Sequence, residues 1–431
     1  MRLTDTIRAA WDEPELRQRI LFIFAMFGVY AIGIHVQSPI GGLDPEIVKA
    51  KIEDMPFFQM MNMFGGGALA RVSIFSLGLN PYITSSIIMQ LMTVAIPALK
   101  KEQQEGGQYE RMKKAQRTRA LTLVLCGLQA FGIIRILAPE LPINAVDMIQ
   151  VVLVWTAGAM MVLWLGEQIQ EKGIGQGVSL MIFAGIVVSF PGVTSRIATD
   201  LKDQTVQYWN VGFLLLIFVA MTAVIVYFTQ AQRRITIQHM RRSVGTKVLP
   251  GASTYLPIPV NAAGVIPIIF AFALVFMPAQ FASFAPGTGW EVFWIGVSEY
   301  LSPTPTAIWY QWVVGSIMYG FLIFFFTYFW TAIQYNVEDI AANLKRSGAY
   351  IPGVRQGKQT EHYLDQVISR ITMVGALFLS FVALVPFWAP QVTGVQGFRI
   401  IGGTSLLIIV SVVLDLMRQI EANLIMRGYA K

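Results

Sequence analysis

The chain alternates long apolar stretches with short polar ones. Ten apolar stretches can be marked off, at about 20–38, 74–96, 119–138, 148–166, 176–192, 210–229, 261–281, 310–333, 371–389 and 400–417. Each approaches the roughly 20 helical residues that cross a hydrocarbon core about 30 Å thick. The pattern therefore predicts an all-α polytopic membrane protein with ten transmembrane helices. Ahead of the first stretch, Leu3, Ile7 and Trp11 recur at helical spacing, which predicts either a short amphipathic helix on the membrane surface or a solvated segment. Residues 1–19 mix Arg2, Arg8, Arg17 and Arg19 with Asp5, Asp12, Glu13 and Glu15. The first apolar run starts too late and runs too long for a cleaved signal peptide.

Several stretches are interrupted. The second contains Gly78-Leu79-Asn80-Pro81, and a break near Pro81 is expected because proline removes a backbone donor. The seventh carries Pro259, Gly264, Pro267 and Pro278, and Gly173-Ile174-Gly175-Gln176-Gly177 precedes the fifth. Broken helices at membrane depth persist only where protein or a water-filled cavity meets the freed backbone groups. That points to a pathway rather than a passive anchor.

Composition agrees with the pattern. Charged residues make up 13% of the 431 and apolar ones 55%, with a mean hydropathy of +0.57, where a soluble domain carries about 25% charge. A water-soluble fold is excluded. Of the 32 Lys and Arg, 25 fall on the face that holds both ends of the chain and 7 on the other, so the positive-inside rule places both termini in the cytoplasm. Cys126 is the one cysteine, which excludes an intramolecular disulfide and a Cys-rich metal site.

The stretches hold almost no ionisable groups. Arg135, Glu167 and Asp415 sit at their ends, and His35 reads as an interfacial imidazole rather than a proton relay. Ion-coupled transport needs such groups at depth, which disfavours a secondary transporter. A lipid-embedded scaffold would leave the broken helices without a role. Neither GxxxxGK[ST] nor HExxH occurs, so nucleotide hydrolysis and zinc proteolysis lack their parts. No enzyme, metal or cofactor is expected, and any energy comes from a partner.

Five long strings carry a resemblance. They are Phe64-Gly65-Gly66-Gly67-Ala68-Leu69-Ala70-Arg71 continuing to Thr84, Gly166-Glu167-Gln168-Ile169 through Ile186, Asn261-Ala262-Ala263-Gly264-Val265-Ile266-Pro267, Asn343 through Thr360, and Gly402-Gly403-Thr404-Ser405 through Ile408. In type and order they resemble the SecY family, the central subunits of the Sec protein-conducting channel, over essentially the whole chain.

The resemblance implies two pseudo-symmetric five-helix halves, 20–192 and 210–417, joined by an external connection at 193–209 and followed by a cytoplasmic tail at 418–431. It implies an apolar pore ring at Leu79, Ile83, Ile182, Ile269 and Ile408. Aliphatic side chains offer water no partner, so a narrow ring can dewet and block ions. A plug helix is implied at about 57–70, with Met60, Met61, Met63, Phe64, Gly65, Gly66 and Gly67; methionine adapts its shape and glycine permits a hinge. Gln90, Gln129 and Asn261 would hydrogen-bond across a lateral gate between spans two and three and spans seven and eight; alternatively, each satisfies its own helix or meets interfacial water. The large loops at about 230–260 and 334–370 would dock a SecA motor or a ribosome through Arg233, Arg234, Arg241, Arg242 and Lys247, and through Lys345, Arg346, Arg355 and Lys358. Thr246, where relatives often carry a second basic residue, weakens ribosome contact there, and Arg355 matches the motor-coupling arginine better. Implied partners are SecE, SecG, SecA, the ribosome, signal-bearing polypeptides and lipid, and the implied location is the bacterial inner membrane.

Overall fold

Each of the ten apolar stretches overlaps a helix among the described residues, and most of the helices outrun the stretch that predicts them. The computed structural model describes residues 3–39, 44–54, 56–96, 99, 107–137, 144–203, 207–239, 242–244, 247–249, 253–282, 288–303, 309–394 and 402–428. In the first half α1 (Leu3–Asp12) and α2 (Pro14–His35) are followed by two short helices, α3 (Pro45–Asp54) and α4 (Pro56–Phe64). Then come α5 (Asn80–Ala95), α6 (Gly107–Leu137), α7 (Ala145–Lys172) and α8 (Gly177–Lys202). The second half contains α9 (Tyr208–Gln230), α10 (Ile266–Ala282), α11 (Gly289–Leu301), α12 (Trp309–Gln334), α13 (Val337–Arg346), α14 (Lys358–Thr393) and α15 (Thr404–Gly428).

Among the described residues, seven helices are long and apolar enough to cross a membrane by length and composition. The others that match expected stretches fall short for identifiable reasons. With 16 and 17 residues, α5 and α10 start late, each after a run of turns. Charged residues occupy the second half of α15, which runs on to Gly428 where a tail was expected.

The two halves repeat the same devices. The second span of each begins at a proline, Asn80-Pro81 in α5 and Ile266-Pro267 in α10. Proline fits a first turn, where its missing N–H has no acceptor to lose. The fifth span of each opens on closely spaced glycines, Gly173, Gly175 and Gly177 at the start of α8, Gly402 and Gly403 before α15. One apolar core joins α9, α10, α12, α14 and α15 and takes in Ile87 of α5. A second joins α1, α2, α7, α8 and α15, and a third holds α3 and α4 against α6 and α7. Because α15 gives Leu406, Leu407 and Val410 to the first core and Ile408 and Val412 to the second, it binds the halves together.

The expected amphipathic segment is α1, and its buried side is proteinaceous. Thr6 and Ala10 are buried, and the Thr6 hydroxyl donates to Glu421 of α15 at 3.4 Å. The connection placed at 193–209 is largely helical too, since α8 continues to Lys202.

The loops of the second half add strands that the span pattern did not predict. After α9 come β1 (Gln232–His239), β2 (Arg242–Val244), β3 (Lys247–Leu249) and β4 (Ser253–Pro259), and β5 (Ala349–Tyr350) follows α13. The sheet order is β4-β1-β5, both pairings antiparallel, and β2 pairs with β3. Ile235 and Ile237 are buried at alternate positions of β1 while Arg234 and Thr236 face out, the period-2 pattern of a half-buried strand.

Candidate functional site

Between α4 and α5 lies an irregular segment, residues 65–79, in which Ala68, Leu69, Ser73, Phe75, Ser76 and Leu77 are almost fully buried. Buried backbone polar groups must find partners, and here they do so through tight turns. Gly66 N–H donates to Met63 O at 3.0 Å and Gly67 N–H to Asn62 O at 2.7 Å. Ser73 N–H donates to Ala68 O, and Gly78 N–H to Phe75 O at 2.8 Å. Two bonds tie the segment to the end of α2: Ser38 N–H to Val72 O at 2.8 Å and Ile74 N–H to Val36 O at 3.1 Å. The left-handed backbone at Gly66 and Gly67, φ 72° and 83°, is one that glycine adopts without steric cost. Beside that tie the Arg71 guanidinium donates to Nε2 of His35 at 3.1 Å, and the ring's Nδ1–H donates to Ala31 O at 2.8 Å.

Small residues on the spans receive this segment. Phe75 lies against Gly33 of α2, stacked on Tyr30 with centroids 6.0 Å apart. At Gly158 of α7, a Cβ would collide with the Ile74 carbonyl, and at Gly185 of α8 with the Phe64 carbonyl. The helix expected near 57–70 is thus α4, from Pro56 to Phe64, followed by the buried turns. Met61 and Met63 are buried, Phe64 is half-buried, and its ring meets Phe272 of α10 edge-on. The side chain of Met60 lies outside the described residues. Asn62 escaped the sequence reading, although its Oδ1 accepts from Ala70 N–H at 2.9 Å and so closes the turn; an amide set between Met61 and Met63 was the available signal.

Of the five ring candidates, Leu79, Ile182 and Ile408 are buried in one apolar cluster. Ile83 packs against that cluster and against the core of the second half, as do Phe64 and Val265. Ile269, on the first turn of α10, is half-buried and belongs to neither. Four candidates therefore lie in or against one apolar cluster at the seam between the halves, and Ile269 is a member of neither cluster.

At that seam α10 packs against α5 and α6. Among the described residues, none of the hydrogen bonds expected across it is seen. Gln90 Nε2 donates to Ser86 Oγ of its own helix at 3.3 Å. Gln90 Oε1, Gln129 Oε1 and both amide atoms of Asn261 are buried with no partner among the described residues. A four-residue reach along α5 gives the Gln90 amide N–H a local acceptor and leaves its Oε1 without a partner among the described residues.

The basic loops, expected as two docking elements, form one body. Gln238 pairs with Tyr350 and His239 with Ala349, and the Tyr350 hydroxyl donates to Gln238 Oε1 at 3.0 Å. A small core of Ile235, Ile258, Ile351, Leu364 and Ile368 lies beneath. Arg233 and Arg234 are exposed on β1, Lys345 and Arg346 at the end of α13, and Lys358 at the start of α14. Arg355 is exposed on a turn between Gly353 and Gly357, both with positive φ, and its carbonyl accepts from Thr360 Oγ1 at 2.9 Å. Arg241 lies outside the described residues, as do the side chains of Arg242 and Lys247.

Two helical halves, an apolar seam at their centre and a short helix seated upon it define a polytopic membrane channel fold. Solved structures share it. A protein-conducting channel superposes with a TM-score of 0.66 at 20% identity, covering 93% of this chain and 91% of its own. Sec61 in a canine ribosome–channel complex gives 0.63 at 19% identity, with the same coverage. The SecY family profile matches residues 73–417. Among full-length relatives, the protein translocase subunit SecY of Aquifex aeolicus is 38% identical over 99% of both chains. That of Escherichia coli K12 is 39% identical over 96% of this chain and 93% of its own. The chain belongs to the SecY family: it is a protein-conducting channel subunit of the translocase, not an enzyme.

Proposed function

We propose that unfolded polypeptide passes between the halves through a waist formed by Leu79, Ile83, Ile182, Ile269 and Ile408, and that α4 with its glycine turns is the plug. The observation that carries this reading is the position of Phe64. It packs at once on both halves' cores, beside Ile83, while its carbonyl fits against Gly185. A plug held by apolar contacts and turn glycines can leave without breaking an ion pair. Apolar spans of a substrate exit to lipid between α5 and α6 on one side and α10 and α12 on the other, past Gln90, Gln129 and Asn261.

The sheet and its basic rim dock a SecA motor or a translating ribosome, with Arg355 at the tip, and SecE and SecG complete the membrane complex. The chain resides in the bacterial inner membrane with both termini cytoplasmic, as the distribution of Lys and Arg favours. The test is translocation into vesicles. Purified chain with SecE, SecA and ATP should render a signal-bearing precursor protease-resistant in the lumen. Equal protection without SecA, and with no ribosome present, would remove the motor from the scheme; no protection in any arm would remove the channel.

A further inference from the structure

The helix α11 was not expected from the span pattern. It joins α10 to α12 and packs on both. Since α10 leaves the sheet at β4 and α12 runs back towards α13 and β5, α11 lies at the opposite face of the molecule. Aromatic contacts fasten it to the end of α10: the Trp290 indole donates to the Phe281 carbonyl at 2.9 Å, and the Trp294 ring lies 5.2 Å from that of Phe281.

Its outward side is apolar. Val292 is 72% exposed, Phe293 61% and Tyr300 48%, and residues 283–308 contain neither Lys nor Arg. A helix facing water on this side would carry charge there; α11 offers only Glu299 as an exposed charge. What covers this side follows from its continuity with α12. There Tyr310, Val314, Ile317, Phe321 and Phe325 are all exposed, spaced as one helical stripe, and in a spanning helix that stripe faces lipid. Trp and Tyr, apolar with one polar atom, concentrate where acyl chains meet headgroups. A helix too short to span, turning such a face to lipid at the end of two spans, sits at that interface.

We propose that α11 is an interfacial anchor, embedded among the headgroups of the leaflet opposite the sheet, and that it fixes the ends of α10 and α12 at that depth. Its lipids are zwitterionic, because the segment has no cation with which to hold an anionic headgroup.

Spin labels on the full chain in nanodiscs test this. Phe293→Cys and Tyr300→Cys place the label on the outward side, with Tyr255→Cys on exposed β4 as a water-facing reference. Cys126 is buried, so the introduced thiol is the one that reacts. In phosphatidylcholine discs the ratio of oxygen to nickel-chelate accessibility should be several-fold higher at 293 and 300 than at 255, and unchanged when anionic lipid is added. A ratio equal to that at 255 would put α11 in water, and exclusion of both relaxants would mean that a second copy or another subunit covers it; either overturns the proposal. A rise in the ratio on adding anionic lipid would overturn the lipid assignment.

Discussion

The ring of Phe64, the last residue of α4, meets the ring of Phe272 in α10 edge-on, with centroids 5.9 Å apart and planes at 87°. One residue belongs to the segment that caps the seam and the other to the second half, so the contact senses whether the two are together. Edge-to-face pairs contribute about 0.5–1.5 kcal/mol beyond their buried area. Phe64→Ala or Phe272→Ala should therefore raise the unseated population by up to roughly tenfold. Ion leak through planar bilayers reads it; parental leak in both variants would mean the segment is held elsewhere.

Conductance should also report the waist. If the proposed waist is right, Ile83→Ser, Ile182→Ser and Ile408→Ser should each wet it and increase single-channel conductance. Ile269→Ser, outside the shared clusters, should have the smallest effect. If all four variants conduct like the parent, the constriction lies at another level.

Gly158 is where the fold tolerates no side chain. An added methyl would collide with the Ile74 carbonyl, a backbone atom held by the turns around it. Overpacking of this kind costs typically 1–3 kcal/mol, so Gly158→Ala should lower the Tm of the detergent-solubilised chain. Gly127, whose added Cβ would meet nothing within 4 Å, supplies the control. Equal Tm values for the two alanine variants would contradict the close approach.

For Asn261 the geometry sets the sign. Both of its amide atoms are buried without a partner among the described residues, and an unsatisfied buried polar group costs about 1–3 kcal/mol. Asn261→Leu should stabilise the arrangement seen here and make the channel stricter towards defective signal sequences. Looser discrimination would show that the amide gains its bonds in this state and not on opening.

Arg355 is the residue on which docking is best tested. Its turn holds it clear of the helices, and a guanidinium makes planar two-point contacts that an ammonium cannot. Arg355→Lys and Arg355→Glu should both impair SecA-driven translocation at unchanged membrane level and orientation. A fully active Arg355→Lys channel would reduce the residue to one of many topology-setting charges.

What was legible in the sequence followed from solvent. The spans were readable because hydrocarbon demands continuous apolar length, and the break near Pro81 because proline has no N–H to give. The strands of β1 and β4 were not read, although Ile235 and Ile237 alternate with polar neighbours, because charge dominated that segment. Escaping notice too, α11 is 13 residues long, too short for a span. The gate contacts could not be read at all: whether Gln90 turns to Ser86 or across to another helix depends on a rotamer, and no spacing rule encodes that. Ile269 illustrates the same limit for packing, since its place on α10 was evident but its neighbours were not.

The platform of β1, β4 and β5 has a mechanical consequence. The strands and helices that build it lead into α9, α10, α12 and α14, all within the second half, and among the described residues its small core draws only on that half. It is a handle fixed to one jaw of a pair. A partner that pushes on either loop delivers its force as a torque on that jaw alone, and the other jaw supplies the reaction through α15 and the seam at Ile83.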